Sequence, residues 1–139
     1  MSQENVEIVR RIYGWLNRGD FKGPGGRRLV RELFDPDVEL QQLEDVVGTA
    51  GTFRGYEGLV KARDELTDAL VDMQWHPEQH FELGDSVAFA VRAVGTGRAS
   101  GVRSDVLVGH LWVLRAGRVL RWVVYANFDE ALKAAGLSA

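Results

Sequence analysis

Apolar residues at the start of the chain recur at helical spacing. Val6, Val9, Tyr13 and Leu16 fall on one stripe and Ile8, Ile12 and Trp15 on an adjacent one, with Glu7, Arg10, Arg11 and Arg18 elsewhere. The pattern predicts an amphipathic helix with a broad apolar face, ending near Gly19-Asp20. Lys22-Gly23-Pro24-Gly25-Gly26 reads as a loop. A short helix follows over Arg27 to Phe34 and stops at Asp35-Pro36-Asp37, because the residue before proline is pushed out of the helical region. Val38 to Leu43 reads as a strand, and the stretch through Gly48, Gly51 and Gly55 as irregular. From Tyr56, the positions Leu59, Val60, Arg63 and Leu66 mark a second amphipathic helix reaching about Leu70.

Beyond that point the period becomes that of strands: Met73 to Leu83, Ser86 to Thr96, Val102 to Leu114 and Arg118 to Phe128. Turn residues Gly84-Asp85, Gly97 to Gly101 and Ala116-Gly117 separate them, and such short connections imply antiparallel hairpins. Asp129 to Ala135 closes the chain as a small helix, with Gly136 as its stop. Helices first and strands later make an α+β protein.

The last hairpin holds an ionisable His110 among apolar neighbours. If Arg115-Ala116-Gly117 is a three-residue loop, Leu114 pairs with Arg118 and His110 lies opposite Trp122. Val108, His110, Trp112, Leu120, Trp122 and Val124 then share a face. A two-residue Ala116-Gly117 turn puts Arg121 and Val123 there instead, since a one-residue slip exchanges the faces. Both alternating sets of this hairpin are rich in apolar residues, so both faces of the sheet must be covered. With helices assigned to the concave face, a homodimer is expected to bury the convex one, with Arg121 near its rim.

Composition removes several function classes. A chain of 139 residues with 45% hydrophobic content holds one core, and a single domain over 1–139 is expected. A formal charge of −3 argues against a nucleic-acid surface, and Arg10, Arg11, Arg27, Arg28 and Arg31 read as solvated helix faces. The absence of cysteine excludes disulfides, a thiol nucleophile and a cysteine zinc site. The opening residues lack the basic and apolar regions of a signal peptide, and no apolar run approaches the roughly 18 residues of a membrane span. A cytoplasmic protein without a membrane partner is expected. The glycine cluster near residue 24 lacks the Gly-Lys-Ser/Thr ending of a phosphate loop. His76 and His80 would suit zinc on a helix, but four strand residues span about 13 Å, too far for one metal. No metal and no cofactor are expected.

Several segments together carry a resemblance. These are Ser2 to Tyr13 (SQENVEIVRRIY), Leu33 to Glu39 (LFDPDVE), Gly51-Thr52-Phe53-Arg54-Gly55, Gly109 to Val119 (GHLWVLRAGRV) and Phe128-Asp129-Glu130-Ala131-Leu132. In this order, and over nearly the whole chain, they resemble the SnoaL-like branch of the nuclear transport factor 2 (NTF2-like) superfamily. The resemblance implies a cone: a curled antiparallel sheet wrapped around the N-terminal helices, with an internal pocket and a homodimeric assembly. It implies less about activity, since the superfamily includes ketosteroid isomerase, polyketide cyclases, scytalone dehydratase, limonene epoxide hydrolase and proteins that only bind partners.

Carried over residue by residue, the isomerase pattern is mostly lost. Its general base falls at Leu40. Its oxyanion-hole tyrosine falls at Ile12, and Tyr13 points about 100° away on a helix. Its oxyanion-hole aspartate falls at His110. That placement favours the three-residue loop and sets His110 in the pocket as a candidate general acid or base. Trp15, Leu40, Phe53, Trp112, Trp122 and Val124 are expected as ligand-binding residues, with Arg92 as a further polar candidate. The expected site is an enclosed, mainly apolar cavity of roughly 300 Å³ or more. Two functions stay open: a cyclase-, isomerase- or dehydratase-type enzyme, and a non-catalytic binding domain for an apolar or aromatic metabolite. A second polar group within hydrogen-bond reach of the space in front of His110 would favour the enzyme.

Overall fold

A computed structural model describes residues 2–18, 24–42 and 51–136. In chain order it contains α1 (Ser2–Arg18), α2 (Pro24–Leu33), β1 (Phe34–Gln42), β2 (Gly51–Arg54), α3 (Gly55–Ala69), β3 (Leu70–Leu83), β4 (Ser86–Gly97), β5 (Arg103–Arg115), β6 (Arg118–Tyr125) and α4 (Phe128–Ala134). The α2 helix takes in Pro24-Gly25-Gly26, which the pattern assigned to a loop. Proline is tolerated in a first turn, where its missing N–H has no helical partner to lose.

The strands form one curled, unclosed sheet in the order β2-β1-β6-β5-β4-β3. All neighbours are antiparallel except β1 and β6, which run parallel. The β2 strand was hidden in the irregular glycine stretch, and it pairs Phe53 with Leu40 of β1. The ladder between β1 and β6 is interrupted between Phe34 and Glu39, where Pro36 removes a donor and Asp35 accepts a hydrogen bond from the Asp37 amide at 2.8 Å.

The final hairpin departs from both expected registers. Arg115 pairs with Arg118 across a two-residue turn, with Ala116 and Gly117 at φ 54° and 80°. Leu114 then faces Val119, but Val113 faces Arg121, so Leu120 is an extra, bulged residue. Beyond the bulge Trp112 lies opposite Trp122 and His110 opposite Val124. Val119 occupies the concave place expected for Leu120.

The concave face carries the main core: Val9, Ile12, Tyr13 and Leu16 of α1 meet Phe34, Val38, Phe89, Val91, Val108, Trp112 and Leu114. The α1 helix packs on β3 and β4, and α3 on β1, β2 and β3. The convex face is not left to a partner alone, as the pattern had implied. The α4 helix packs on β4, β5 and β6, and its N-cap segment lies so close to Gly109 that a Cβ there would run into the Asn127 carbonyl and Phe128 Cα. The Asn127 side chain caps α4 by accepting from the Glu130 amide at 2.9 Å. Convex Ala88, Ala90, Leu111 and Val123 are buried on this side of the sheet.

Candidate functional site

Tyr13, His110 and Trp112 form a hydrogen-bonded chain under α1. The Tyr13 hydroxyl lies 2.8 Å from His110 Nδ1 and 2.9 Å from Trp112 Nε1. His110 and Trp112 stand two residues apart on β5 and so point to the same face. An indole N–H can only donate, which makes the Tyr13 oxygen its acceptor. Satisfying the hydroxyl proton as well requires Tyr13 to donate to His110 Nδ1. The imidazole proton then sits on Nε2. The opposite tautomer would bury an unmatched hydroxyl proton, a cost of about 1–3 kcal/mol. Burial pushes the His110 imidazole down to about 3 and holds the Tyr13 phenol well above its ordinary value of 10.0. Both groups are neutral at pH 7.

The His110 ring is flanked by two indoles, with centroids 5.5 Å away for both Trp75 and Trp122. Trp122 in turn stacks on Trp112 at 4.3 Å. Asn17, at the end of α1, holds Trp75 in place by donating to its carbonyl at 2.8 Å and accepting from its amide at 2.7 Å. Because β3 is an edge strand, these outward backbone groups lack a neighbouring strand, and one asparagine amide matches both. Within this cluster Trp75 Nε1, Trp122 Nε1 and His110 Nε2 are buried donors with no hydrogen-bond partner among the described residues.

Beside the cluster lies a cavity of about 70 Å³, partly open to bulk solvent. It has room for only a few waters, and is smaller than the pattern suggested because indole, phenyl and leucyl side chains fill much of the cone. Trp15, Leu40, Trp122 and Val124 line it, together with Trp75, Phe34 and other apolar residues from α3, β4 and β5. Its polar lining residues are Gln42 at the end of β1 and Arg63 on α3. Burial lowers the Arg63 guanidinium from its usual value, while the charge of Asp64 acts in the opposite direction.

Other expected site residues lie elsewhere. His110 and Trp112 are fully buried but outside the lining, so His110 is not the cavity's exposed polar group; the Trp75 and Trp122 rings cover it. Phe53 is buried against the core without lining the cavity. Arg92 belongs to the opposite face: it lies across from Leu107 and binds Glu78 at 3.1 Å and Asp105 at 2.9 Å. Parity along β4 dictates this, since its neighbours Val91 and Ala93 point into the core. Glu44 and Asp45 lie outside the described residues. Among the described residues no group of three or more His, Asp or Glu side chains is arranged to hold a metal. A bulge between Pro77 and Gln79 even sets His76 and His80 opposite residues of different faces, Arg92 and Phe89.

Tyr13, Asn17, Gln42 and Arg63 were missed as site residues. Tyr13 and Arg63 each carried a signal, being polar-tipped side chains on the apolar stripe of an amphipathic helix. Asn17 and Gln42 carried none.

A model of the SnoaL-like domain matches residues 9–122. No curated protein matches the sequence significantly. Among solved structures, an NTF2-like protein of unknown function from Burkholderia pseudomallei K96243 superposes with a TM-score of 0.76 at 20% identity, over 94% of this chain and 95% of that one. TerC, co-crystallised with polyporic acid, gives 0.75 at 21% identity, over 96% and 98%. A candidate SnoaL-like polyketide cyclase from Jannaschia sp. CCS1 gives 0.73 at 20% identity, over 99% and 95%. At these identities the likeness is one of fold.

Proposed function

The chain belongs to the SnoaL-like domain family, and on that premise we propose that its cavity binds an apolar or aromatic small molecule bearing a carbonyl-type oxygen. The observation that carries this reading is the set of buried, unmatched N–H groups of Trp75, Trp122 and His110 in one aromatic cluster. Native proteins leave few such groups without a partner. An acceptor oxygen on a ligand would match at least one of them, while its apolar body lies against Leu40, Val108 and Val124. TerC, a protein of the same fold, was co-crystallised with polyporic acid, which fits a small-molecule role.

In this reading His110 orients the ligand as a neutral donor. General acid/base work would require an imidazolium that burial holds down to about 3. Reaching His110 requires Trp75 or Trp122 to turn aside, since both rings pack against it. A second reading, a cyclase, isomerase or dehydratase, is favoured by the Trp112–Tyr13–His110 chain. A neutral N–H so backed could stabilise an enolate oxygen as it develops.

We also propose a homodimer through the part of the convex sheet outside α4, where Phe81 is 51% and Leu107 46% exposed. A monomeric mass at micromolar concentration would exclude it.

The function is tested by a metabolite screen followed by His110→Phe. The variant should keep the fold and weaken binding, or turnover, of any confirmed hit. Binding equal to that of the parent would make His110 a core residue only.

A further inference from the structure

The two indoles that cover His110 are held in very different ways. Trp122 sits inside the sheet, paired with Leu40 of β1 on one side and Trp112 of β5 on the other, and its ring stacks on Trp112 at 4.3 Å. Trp112 is itself fixed, being fully buried and donating its N–H to Tyr13 at 2.9 Å. Turning Trp122 aside would break a ring stack in the middle of the core. Trp75 stands on the edge strand β3, where its strand neighbour is Ala93 of β4. Among the described residues its ring partner is His110 itself, tilted by 50° and not stacked. Register shifts between Val71 and Gln74 and between Pro77 and Gln79 interrupt the ladder on both sides of Trp75, and the first of them holds Asp72 at φ 56°. Bulges disrupt pairing locally and let a strand bend. On its free side the segment is tied down by Asn17, which donates to the Trp75 carbonyl at 2.8 Å and accepts from the Trp75 amide at 2.7 Å.

We propose that Trp75 is the gate between the cavity and His110, and that Asn17 is the positioning residue that holds it shut. This role rests on the reading of the cavity as a ligand site. A clamp on both backbone groups of one residue fixes its Cα–Cβ direction and with it the place of the indole. Releasing the clamp frees the indole without unpairing the sheet. The Gln74 carboxamide donates to the Asn17 carbonyl at 3.3 Å, a main-chain contact that survives loss of the Asn17 side chain and keeps α1 docked on β3. With the gate shut, Trp75 Nε1 and His110 Nε2 are buried donors without a partner among the described residues. Opening matches both, the indole with water and the imidazole with the ligand's oxygen, which lowers the cost of the movement. A ligand that binds only the open form has its apparent affinity reduced by the open fraction.

Hydrogen exchange of the indole N–H groups, followed by NMR on the full chain, tests the gate without a ligand. In the parent protein the Trp75 N–H should exchange about tenfold or more faster than that of Trp122. Asn17→Ala should speed Trp75 by about a further tenfold, the scale of one or two lost hydrogen bonds, and leave Trp122 within about twofold. Asn17→Asp, which keeps the acceptor for the Trp75 amide and loses the donor, should give part of that rise. A merely structural role for Asn17 would speed both indoles alike. That outcome, or equal rates in the parent, would overturn the gate and leave the ligand reading intact. Acetophenone, an aromatic ring bearing a carbonyl oxygen, then probes the site through the same resonances. Asn17→Ala should bind it more tightly, by the factor by which Trp75 exchange rises. Unchanged or weaker binding would overturn the gate, since the ligand would not pass through it. If acetophenone shifts no indole resonance at millimolar concentration in either protein, the ligand reading fails and the proposal with it. Should Asn17→Ala fail to fold, Asn17→Asp and the ratio of the two indole rates in the parent decide the matter.

Discussion

Tyr13 and His110, 97 residues apart in the chain, share a buried 2.8 Å hydrogen bond that ties α1 to the middle of the sheet. The bond also settles which imidazole nitrogen carries the proton, because Trp112 already occupies the Tyr13 oxygen as a donor. Removing the hydroxyl by Tyr13→Phe leaves the Trp112 N–H and His110 Nδ1 unmatched. A loss of about 1–3 kcal/mol in urea-unfolding stability is expected, with the ring packing kept. A neutral result would mean that water replaces the hydroxyl there.

Acid should destabilise the protein through His110. Its folded value is pushed down to about 3 from the ordinary 6.5, so between these limits the unfolded chain binds the proton and the folded one does not. Stability is fully present above the unfolded value and is lost as pH falls through this window. Between pH 7 and pH 5 the loss from this group is about 2 kcal/mol. His110→Phe should flatten that part of the stability profile measured by denaturant unfolding. An unchanged slope would refute the burial argument.

Gly109 permits the close approach of α4 to β5. Gly109→Ala places a methyl group against the Asn127 carbonyl, and both partners are backbone. A loss of about 1–3 kcal/mol is expected, with faster amide exchange over residues 128–134. Unaltered exchange there would show that α4 docks without this contact.

Ala116 adopts a left-handed conformation, at φ 54°, in the turn of the last hairpin. An L-residue with a Cβ resists it, so Ala116→Gly should raise the melting temperature through a gain of up to about 1 kcal/mol. Lower stability would mean that the turn has a different geometry in solution.

Arg92 serves as the control. Its ion pairs with Glu78 and Asp105 are exposed and lie on the convex side. Arg92→Ala should change stability by no more than about 1 kcal/mol and leave binding of any hit confirmed in the metabolite screen untouched. A tenfold loss of binding would place the ligand on the wrong face of the sheet.

Much of the architecture is legible in local sequence because the periods of helices and strands are local. The stripe of Val6, Val9, Tyr13 and Leu16 defines the buried side of α1, and all of these residues are buried. The concave placement of His110 with Trp112, Trp122 and Val124 could also be read, although for an incomplete reason. A two-residue turn exchanges the faces and the bulge at Leu120 exchanges them back, so parity is preserved while the partner of His110 becomes Val124. Only tertiary structure decided the rest. Neither the β2 pairing nor the course of α4 over Gly109 has a periodic signature, because each depends on what another segment leaves uncovered. The same holds at the site. That Tyr13 reaches His110, that Trp75 and Trp122 seal it from the cavity, and that Arg63 faces the cavity while Arg92 faces solvent are matters of side-chain reach across elements. A one-dimensional pattern carries the direction of a side chain, but not the neighbour that it meets.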